Sequence, residues 1–289
     1  MARFGLEAAL RLILGLIGAV LLATAIASLP PYSGGGFWQA FGSHLVSVAH
    51  LDFGASRVSG LAASAELLAR LPATLALLGF GAVIALAIGI PAGVLAGFSR
   101  AAPVAGPLLL ALEAFPLFVI GIAMIWVATV FYWPVATSPP GNAIPGDVLS
   151  LPFARAIALP AILVGLGGAG AIVTRLRQIA DTLAYAPYRE GLHRLGLPNW
   201  EIGLHYLLPE VAAGLLANLG EVMLALMGAA IVAEWIFQWP GAAAFFIKSV
   251  ALSDWSVAAI ILAIFAGLTL VADFIGALVS RALVMADHP

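Results

Sequence analysis

Three carboxylates lie within or beside long apolar stretches of the sequence, and they are the first candidates for chemistry: Glu113, Glu221 and Asp273. A charge at the centre of a bilayer costs roughly 2.5–3.5 kcal/mol or more, so a carboxylate there suggests a substrate or ion path. Glu221 is the most central, about ten residues into its stretch, and could pair with a cationic substrate group such as an amine. A structural hydrogen bond to another helix or subunit is the favoured interpretation for all three carboxylates, and Glu221 is kept as a candidate for the path.

The other reactive residue types form no recognisable site. The five histidines show neither an HExxH motif nor a comparable metal-ligand spacing, and cysteine is absent. No Ser-His-Asp set or carboxylate pair has an interpretable spacing. The single lysine, Lys248, follows Ile247 and not glycine, which excludes a phosphate-binding loop of the GxxxxGK[ST] type. The sequence therefore predicts no catalytic centre and no metal site, and any ATP that drives this protein must bind to another chain.

Composition indicates which kind of secondary structure holds the three carboxylates. The chain has 289 residues, of which 63% are hydrophobic and 9% charged, and its mean hydropathy is +1.11. These values are typical of a polytopic all-α membrane protein. A net charge of −2 gives no indication of nucleic-acid binding.

Apolar runs and polar interruptions divide the chain. Residues 1–29 predict a first transmembrane helix, with a signal peptide ending near residues 25–27 as the alternative. Residues 30–70 predict an extracytoplasmic insertion, and 71–285 a five-helix core. The core spans are predicted at about 71–98, 108–133, 157–183, 211–233 and 257–279.

Glycines mark two surfaces where helices are expected to approach closely. Gly89, Gly93 and Gly97 recur every four residues and form one small face of a helix. A second set lies in the fourth span and comprises Gly165, Gly167, Gly168 and Gly170.

The longest polar interruption in the C-terminal half covers residues 188–209 and must lie outside the hydrocarbon. Two short helices are predicted in it. Gly196 suits the end of the first, and Pro198 suits the first turn of the second.

This interruption resembles the cytoplasmic loop of the permeases of ATP-driven, binding-protein-dependent (ABC) importers. The family pattern is Glu-Ala-Ala, three residues, Gly, nine residues, Ile, any residue, Leu-Pro. The chain keeps Glu190, Gly196, Leu208 and Pro209. It departs from the pattern at 191–192, where Gly and Leu replace alanines, and at Tyr206. The stretch 188–196 is most similar to the dipeptide, oligopeptide and nickel branch.

Further strings support the same resemblance. LDFGAS at 51–56 is similar to the Asp-Phe-Gly-x-Ser signature that follows the first helix in peptide permeases. LPATL at 71–75 and Leu-Pro at 159–160 resemble the family's helix openings. EWIFQWPG at 234–241 resembles its Glu-x-Ile-Phe-x-x-Pro-Gly string.

The resemblance implies six transmembrane helices of the type I importer architecture and a coupling helix in the loop 185–210, which docks onto a separate ATPase. The residues implied in coupling are Tyr188, Arg189, Glu190, Leu192, His193, Arg194, Gly196, Leu208 and Pro209. Glu221 and Glu234 are the candidates for the translocation path. The implied partners are a second permease subunit, two ATPase subunits carrying ATP and Mg²⁺, an extracytoplasmic binding protein and the lipid bilayer.

Charge distribution predicts the orientation. With the coupling loop in the cytoplasm, eight Lys and Arg residues lie inside and four outside, in agreement with the positive-inside rule. Both termini are then cytoplasmic, in a bacterial inner membrane. Five tryptophans are expected near the outer interface: Trp38, Trp133, Trp235, Trp239 and Trp255.

Two alternatives remain open at this point. Related permeases carry nickel or metal chelates as well as peptides, and the sequence does not separate these substrates. A secondary transporter driven by an ion gradient would use Glu221 and Asp273 as ion sites. Such a transporter predicts an inverted repeat, which the sequence does not show.

Overall fold

A computed structural model describes residues 2–28, 36–50, 52–56, 59–98, 104, 106–107, 114–133, 150–184 and 208–286. Nine helices are named within these ranges: α1 (Ala2–Ala27), α2 (Phe37–Ala49), α3 (Ala63–Phe98), α4 (Leu117–Val130), α5 (Leu151–Ala184), α6 (Leu208–Leu216), α7 (Leu219–Ile236), α8 (Ala242–Ala251) and α9 (Trp255–Ala286). The predicted all-α class is confirmed.

Five of the described helices are long and apolar enough to cross a membrane: α1, α3, α5, α7 and α9. The chain is therefore a multi-pass membrane protein. Helix α4 has 14 residues and a length of about 21 Å, less than the roughly 30 Å of a hydrocarbon core. Its predicted span, 108–133, begins outside the described residues, so the count of six crossings stays a prediction.

Close packing of α3 on α5 forms the centre of the bundle. A Cβ atom on Gly89 would lie 2.9 Å from Cβ of Ile172, and one on Gly97 would lie 2.8 Å from Cβ of Ala180. The predicted glycine face of α3 is thus confirmed. Because residue numbers rise together along the contact, the two helices run parallel.

Helix α4 runs in the opposite direction to α5. A Cβ on Gly121 would be 2.9 Å from Leu163, whereas Leu117 lies beside Gly167. Because α3 and α5 are parallel, the chain must run back in the opposite direction between them. Helix α4 has this direction.

The fifth predicted span, 211–233, is interrupted. Helix α6 ends at Leu216 and α7 begins at Leu219. Asn218 donates a 2.8 Å hydrogen bond from its side chain to the carbonyl of Gly214, which competes with a continuous helix. Gly276 of α9 lies directly against the carbonyl of Leu216, so a side chain there would collide with the backbone.

Helix α3 begins at Ala63, eight residues before the predicted start of its span. The charged residues of this turn suggested a loop, but they are satisfied within the fold. Glu66 is buried and pairs with Arg70 one turn later. The Arg70 guanidinium carbon lies 3.9 Å from the ring centroid of Phe245.

Helix α1 packs along α9 in the antiparallel sense. Gly15 lies against Leu270, and Thr24 lines a cavity together with Ser256 at the start of α9. We call the end where α1 ends and α3 and α9 begin the motif end. The opposite end, where α5 ends and α6 begins, is the loop end.

Candidate functional site: a charged cavity and two joints between motifs

A cavity of about 920 Å³ lies between α3, α4, α5 and α7. Apolar and small side chains form most of its wall, among them Ile88, Leu117 and Leu166. Its polar lining residues are Thr174, Arg175, Gln178 and Glu221. A largely apolar wall with a few convergent polar groups is typical of a ligand site.

The charges of this cavity come from two helices. Arg175 on α5 donates a 2.8 Å hydrogen bond to Oε1 of Gln178, one turn further on. Its Nε is buried and has no hydrogen-bond partner among the described residues, so the guanidinium keeps one unused N–H donor. Glu221 is exposed in the first turn of α7, where the helix dipole stabilises its negative charge. The cavity thus presents one cation and one anion.

Small residues create the space for the cavity. Gly167 and Gly170 lie on its α5 wall together with Ala169 and Ala171. The predicted second glycine surface serves more than one contact. Gly165 meets Ile84 of α3, and a Cβ on Gly168 would be 2.5 Å from Leu226 of α7. Gly170 faces the cavity.

Glu234, the second candidate for the path, occupies a different environment. Its side chain is fully buried in this conformation, and its role in the path stays a prediction. Oε1 accepts a 2.7 Å hydrogen bond from the Thr74 hydroxyl, and Oε2 accepts a 2.8 Å bond from the N–H of Ala244. Thr74 in turn accepts a 2.8 Å bond from the N–H of Ala242. The pair caps the first turn of α8, whose N–H groups have no partner within the helix.

The contacts of this joint account for the glycine and the second tryptophan of the EWIFQWPG string. Gly241 directly precedes α8 and offers no side-chain cap. A Cβ at this position would collide with the Glu234 carboxylate. Trp239 is buried and donates a 3.0 Å hydrogen bond from Nε1 to the carbonyl of Ala73. Its predicted place in the aromatic belt is therefore wrong, because its indole belongs to the core. Trp38, Trp133 and Trp235 are exposed, as a belt requires.

A second joint connects the DFGAS string to α9. The Asp52 side chain accepts a 2.9 Å hydrogen bond from the N–H of Gly54, whose φ of +78° favours glycine. Ser56 donates a 2.7 Å hydrogen bond to Oδ2 of Asp254, just before α9. Both joints lie at the motif end, and together they connect the starts of α3, α8 and α9 with the end of α7.

The remaining predicted residues divide into two groups. Leu208 and Pro209 open α6, where the missing N–H of proline costs nothing. Tyr188, Arg189, Glu190, Leu192, His193, Arg194, Gly196 and Glu113 lie outside the described residues, so their roles stay predictions.

Asp273 lines a separate cavity of about 70 Å³ together with Glu7 and Arg11 of α1. Glu221 and Asp273 therefore line different cavities. Within the described ranges, no three His, Asp or Glu side chains are grouped as a metal site.

Two residues of the cavity and the motif-end joint, Arg175 and Thr74, were not identified from the sequence. Arg175 was not singled out, and Thr74 was considered only as part of the LPATL string. An arginine inside the predicted apolar span 157–183 was the available signal for the first. The partner of Thr74 lies 160 residues away, so no local pattern indicates it.

Comparison with known proteins gives two results. A family model described as "Binding-protein-dependent transport system inner membrane component" matches residues 85–285, well over half of the chain. The chain is also similar to the "Peptide transport system permease protein SapB" of Salmonella typhimurium. The two are 26% identical over 252 residues, and the match covers 78% of each chain.

Proposed function

This chain belongs to the family of binding-protein-dependent transport system inner membrane components, and on that premise we propose that it forms half of the translocation path of an ATP-driven importer of di- and oligopeptides. The permease role follows from the family. The peptide substrate is inferred from the similarity to a protein named as a peptide transport permease.

The observation that carries the proposal is the 920 Å³ cavity with Arg175 and Glu221 in its wall. A peptide has an amine at one end and a carboxylate at the other. One cation and one anion on different helices complement such a substrate, while the apolar wall tolerates varied side chains. Glu234 we assign to the motif-end joint.

Coupling to ATP is assigned to the loop 185–210. This loop connects the end of α5 at Ala184 to the start of α6 at Leu208. Arg175 lies two and a half turns before Ala184 on the same helix, since a turn takes about 3.6 residues. A rigid helix transmits a displacement of its end, so a push on the loop moves the cavity wall. ATP and Mg²⁺ are placed on two separate ATPase subunits, with no cofactor on this chain.

A second permease subunit is expected to complete the path. Helix α4 borders the cavity through Leu117 and Ile120. Its other side exposes Phe118, Ile122 and Trp126, spaced four residues apart, each with more than half of its surface uncovered. This stripe next to an incomplete cavity is where we place the second subunit. The binding protein is assigned to the motif end, and both termini to the cytoplasmic side of the bacterial inner membrane.

Site-specific crosslinking tests the coupling assignment. The chain contains no cysteine, so single cysteines report without interference. Arg189→Cys and His193→Cys are expected to crosslink to a co-expressed ATPase subunit that co-purifies with the chain. Ser43→Cys, at the motif end, is the matched control and is expected not to crosslink. Crosslinking from position 43 and not from the loop would reverse the proposed orientation, and absence of any co-purified ATPase would reject the mechanism.

A further inference from the structure

Helix α2 is short and carries no charged residue. Its 13 residues give a length of about 20 Å, too little to cross a bilayer. None of its residues is buried in the fold. A helix of this kind is stable only when a second phase or partner covers its apolar side.

Burial divides the helix into three faces. At 100° per residue, the half-buried side faces the bundle and consists of Phe37, Ala40, Phe41, His44, Ser47 and Val48. One part of the exposed surface is apolar: Trp38, Leu45, Val46 and Ala49. The other part is polar and consists of Gln39 and Ser43. Helix α2 thus has three adjacent faces: one packs against the protein, one suits an apolar medium, and one suits water.

The position of α2 is fixed relative to a membrane-spanning helix. Ser28, the residue after α1, has its Oγ 3.1 Å from Nδ1 of His44 in a hydrogen bond. Ser47 and Val48 line a cavity of about 250 Å³ whose opposite wall includes Thr24. Helix α2 therefore lies at the level where α1 ends, which is where an apolar helix emerges from the hydrocarbon.

The exposed apolar residues of α2 include a tryptophan, which is enriched at membrane–water interfaces. Trp38 is 79% exposed and Val46 60%. The Trp38 ring lies edge-on to Phe37 at 5.2 Å and to Phe41 at 6.3 Å between centroids. Tryptophan with an apolar body and a polar N–H concentrates at the headgroup level of membranes.

We propose that α2 is an interfacial helix that lies in the bilayer surface at the motif end, with Trp38, Leu45 and Val46 inserted at the boundary between headgroups and acyl chains. The partner is lipid and not protein because α2 is held by Ser28 at the end of a membrane-spanning helix, whose last exposed apolar residues, Leu21 and Leu22, lie about two turns earlier. The absence of charge indicates zwitterionic lipid, since an anion-selective interfacial helix carries Lys or Arg on its polar face. No residue of α2 lines the 920 Å³ cavity, so this proposal does not depend on the proposed substrate.

Nitroxide accessibility tests the proposal on the full-length chain in nanodiscs of phosphatidylcholine. Trp38→Cys, Leu45→Cys and Val46→Cys are labelled separately, so loss of one variant leaves two readouts. Gln39→Cys and Ser43→Cys are the matched controls on the same helix. Collision with oxygen, which concentrates in the hydrocarbon, is compared with collision with an aqueous nickel chelate.

A several-fold higher ratio of oxygen to nickel collisions is expected at 38 and 45 than at 43. Intermediate ratios are expected at 46 and 39, which lie about 20° apart at the boundary between the two faces. Equal ratios at all five positions would overturn the proposal. High nickel accessibility at 38 and 46 that disappears only when a substrate-binding protein is added would also overturn it, because the face would then belong to a protein partner.

Discussion

The hydroxyl of Thr74 donates a 2.7 Å hydrogen bond to the carboxylate of Glu234, and neither side chain has any exposed surface. The same hydroxyl accepts a hydrogen bond from the N–H of Ala242, and the carboxylate accepts one from the N–H of Ala244. Helix α8 is therefore capped by side chains from α3 and α7. One buried pair holds three helices together at the motif end.

Removing this hydroxyl is expected to destabilise the protein. Thr74→Val leaves a buried carboxylate oxygen and the N–H of Ala242 without their partner, at a cost of about 1–3 kcal/mol for an unsatisfied buried group. The measurement is the unfolding midpoint in mild detergent. Thr74→Ser restores the hydroxyl and is expected to recover most of the loss.

Thr129→Val is the control for this variant, because Thr129 is exposed on α4 and bonds only within its own helix to the carbonyl of Ile125. Equal midpoints for Thr74→Val and Thr129→Val would contradict the capping role.

The contact between α3 and α5 predicts a second outcome. In Gly89→Ala the new Cβ would lie 2.9 Å from Ile172 and 3.1 Å from the Cα of Ala169. Backbone cannot move aside as a side chain can, so the helices must separate, at a cost of about 1–3 kcal/mol. Gly79→Ala on the same helix meets no atom within 4 Å and is expected to leave the midpoint unchanged. A midpoint for Gly89→Ala equal to that of Gly79→Ala would show that the contact tolerates a methyl group.

The two glycine surfaces and the helical class could be predicted because they depend on local patterns: a four-residue repeat and long apolar runs. The start of α3 could not. The charges of Glu66 and Arg70 suggested a loop, yet they pair with each other, and Arg70 also lies over the ring of Phe245 on a distant helix.

The same limit applies to the site. Glu221 was recognised as a carboxylate inside an apolar run, a local signal. The role of Glu234 depends on Thr74, and the sequence does not encode which distant residues meet. Trp239 was misplaced for that reason, since its indole partner is the Ala73 carbonyl.

Charge in the cavity is expected to affect transport without affecting folding. Glu221→Gln and Arg175→Gln each remove one charge-assisted hydrogen bond to a zwitterionic peptide, worth about 1.5–3 kcal/mol, so peptide uptake should fall about ten- to hundredfold. Uptake of labelled peptide into proteoliposomes measures this, with ATP hydrolysis and the unfolding midpoint recorded in parallel.

Asp181→Asn is the matched control, because Asp181 is exposed on α5 beyond the cavity lining. A loss of uptake in Asp181→Asn as large as in Glu221→Gln would point to a general charge effect on transport.

The predicted bend at Gly196 gives a separate test of coupling. Gly196→Pro fixes φ and restricts the preceding residue, so the first short helix can no longer end in a left-handed turn. Membrane insertion should be normal, whereas ATP hydrolysis should proceed without uptake. Gly196→Asn, which tolerates the left-handed conformation, is expected to retain coupled uptake. Normal uptake by the proline variant would remove the loop from the coupling mechanism.

We infer that ATPase subunits on other chains drive transport through this permease. The direct measurement is uptake of labelled peptide by proteoliposomes that contain the chain, its co-purified ATPase and permease partners, and its binding protein. We predict that uptake requires ATP hydrolysis and stops when the ATPase is omitted. Uptake by this chain alone, driven by a proton or sodium gradient without ATP, would contradict the claim.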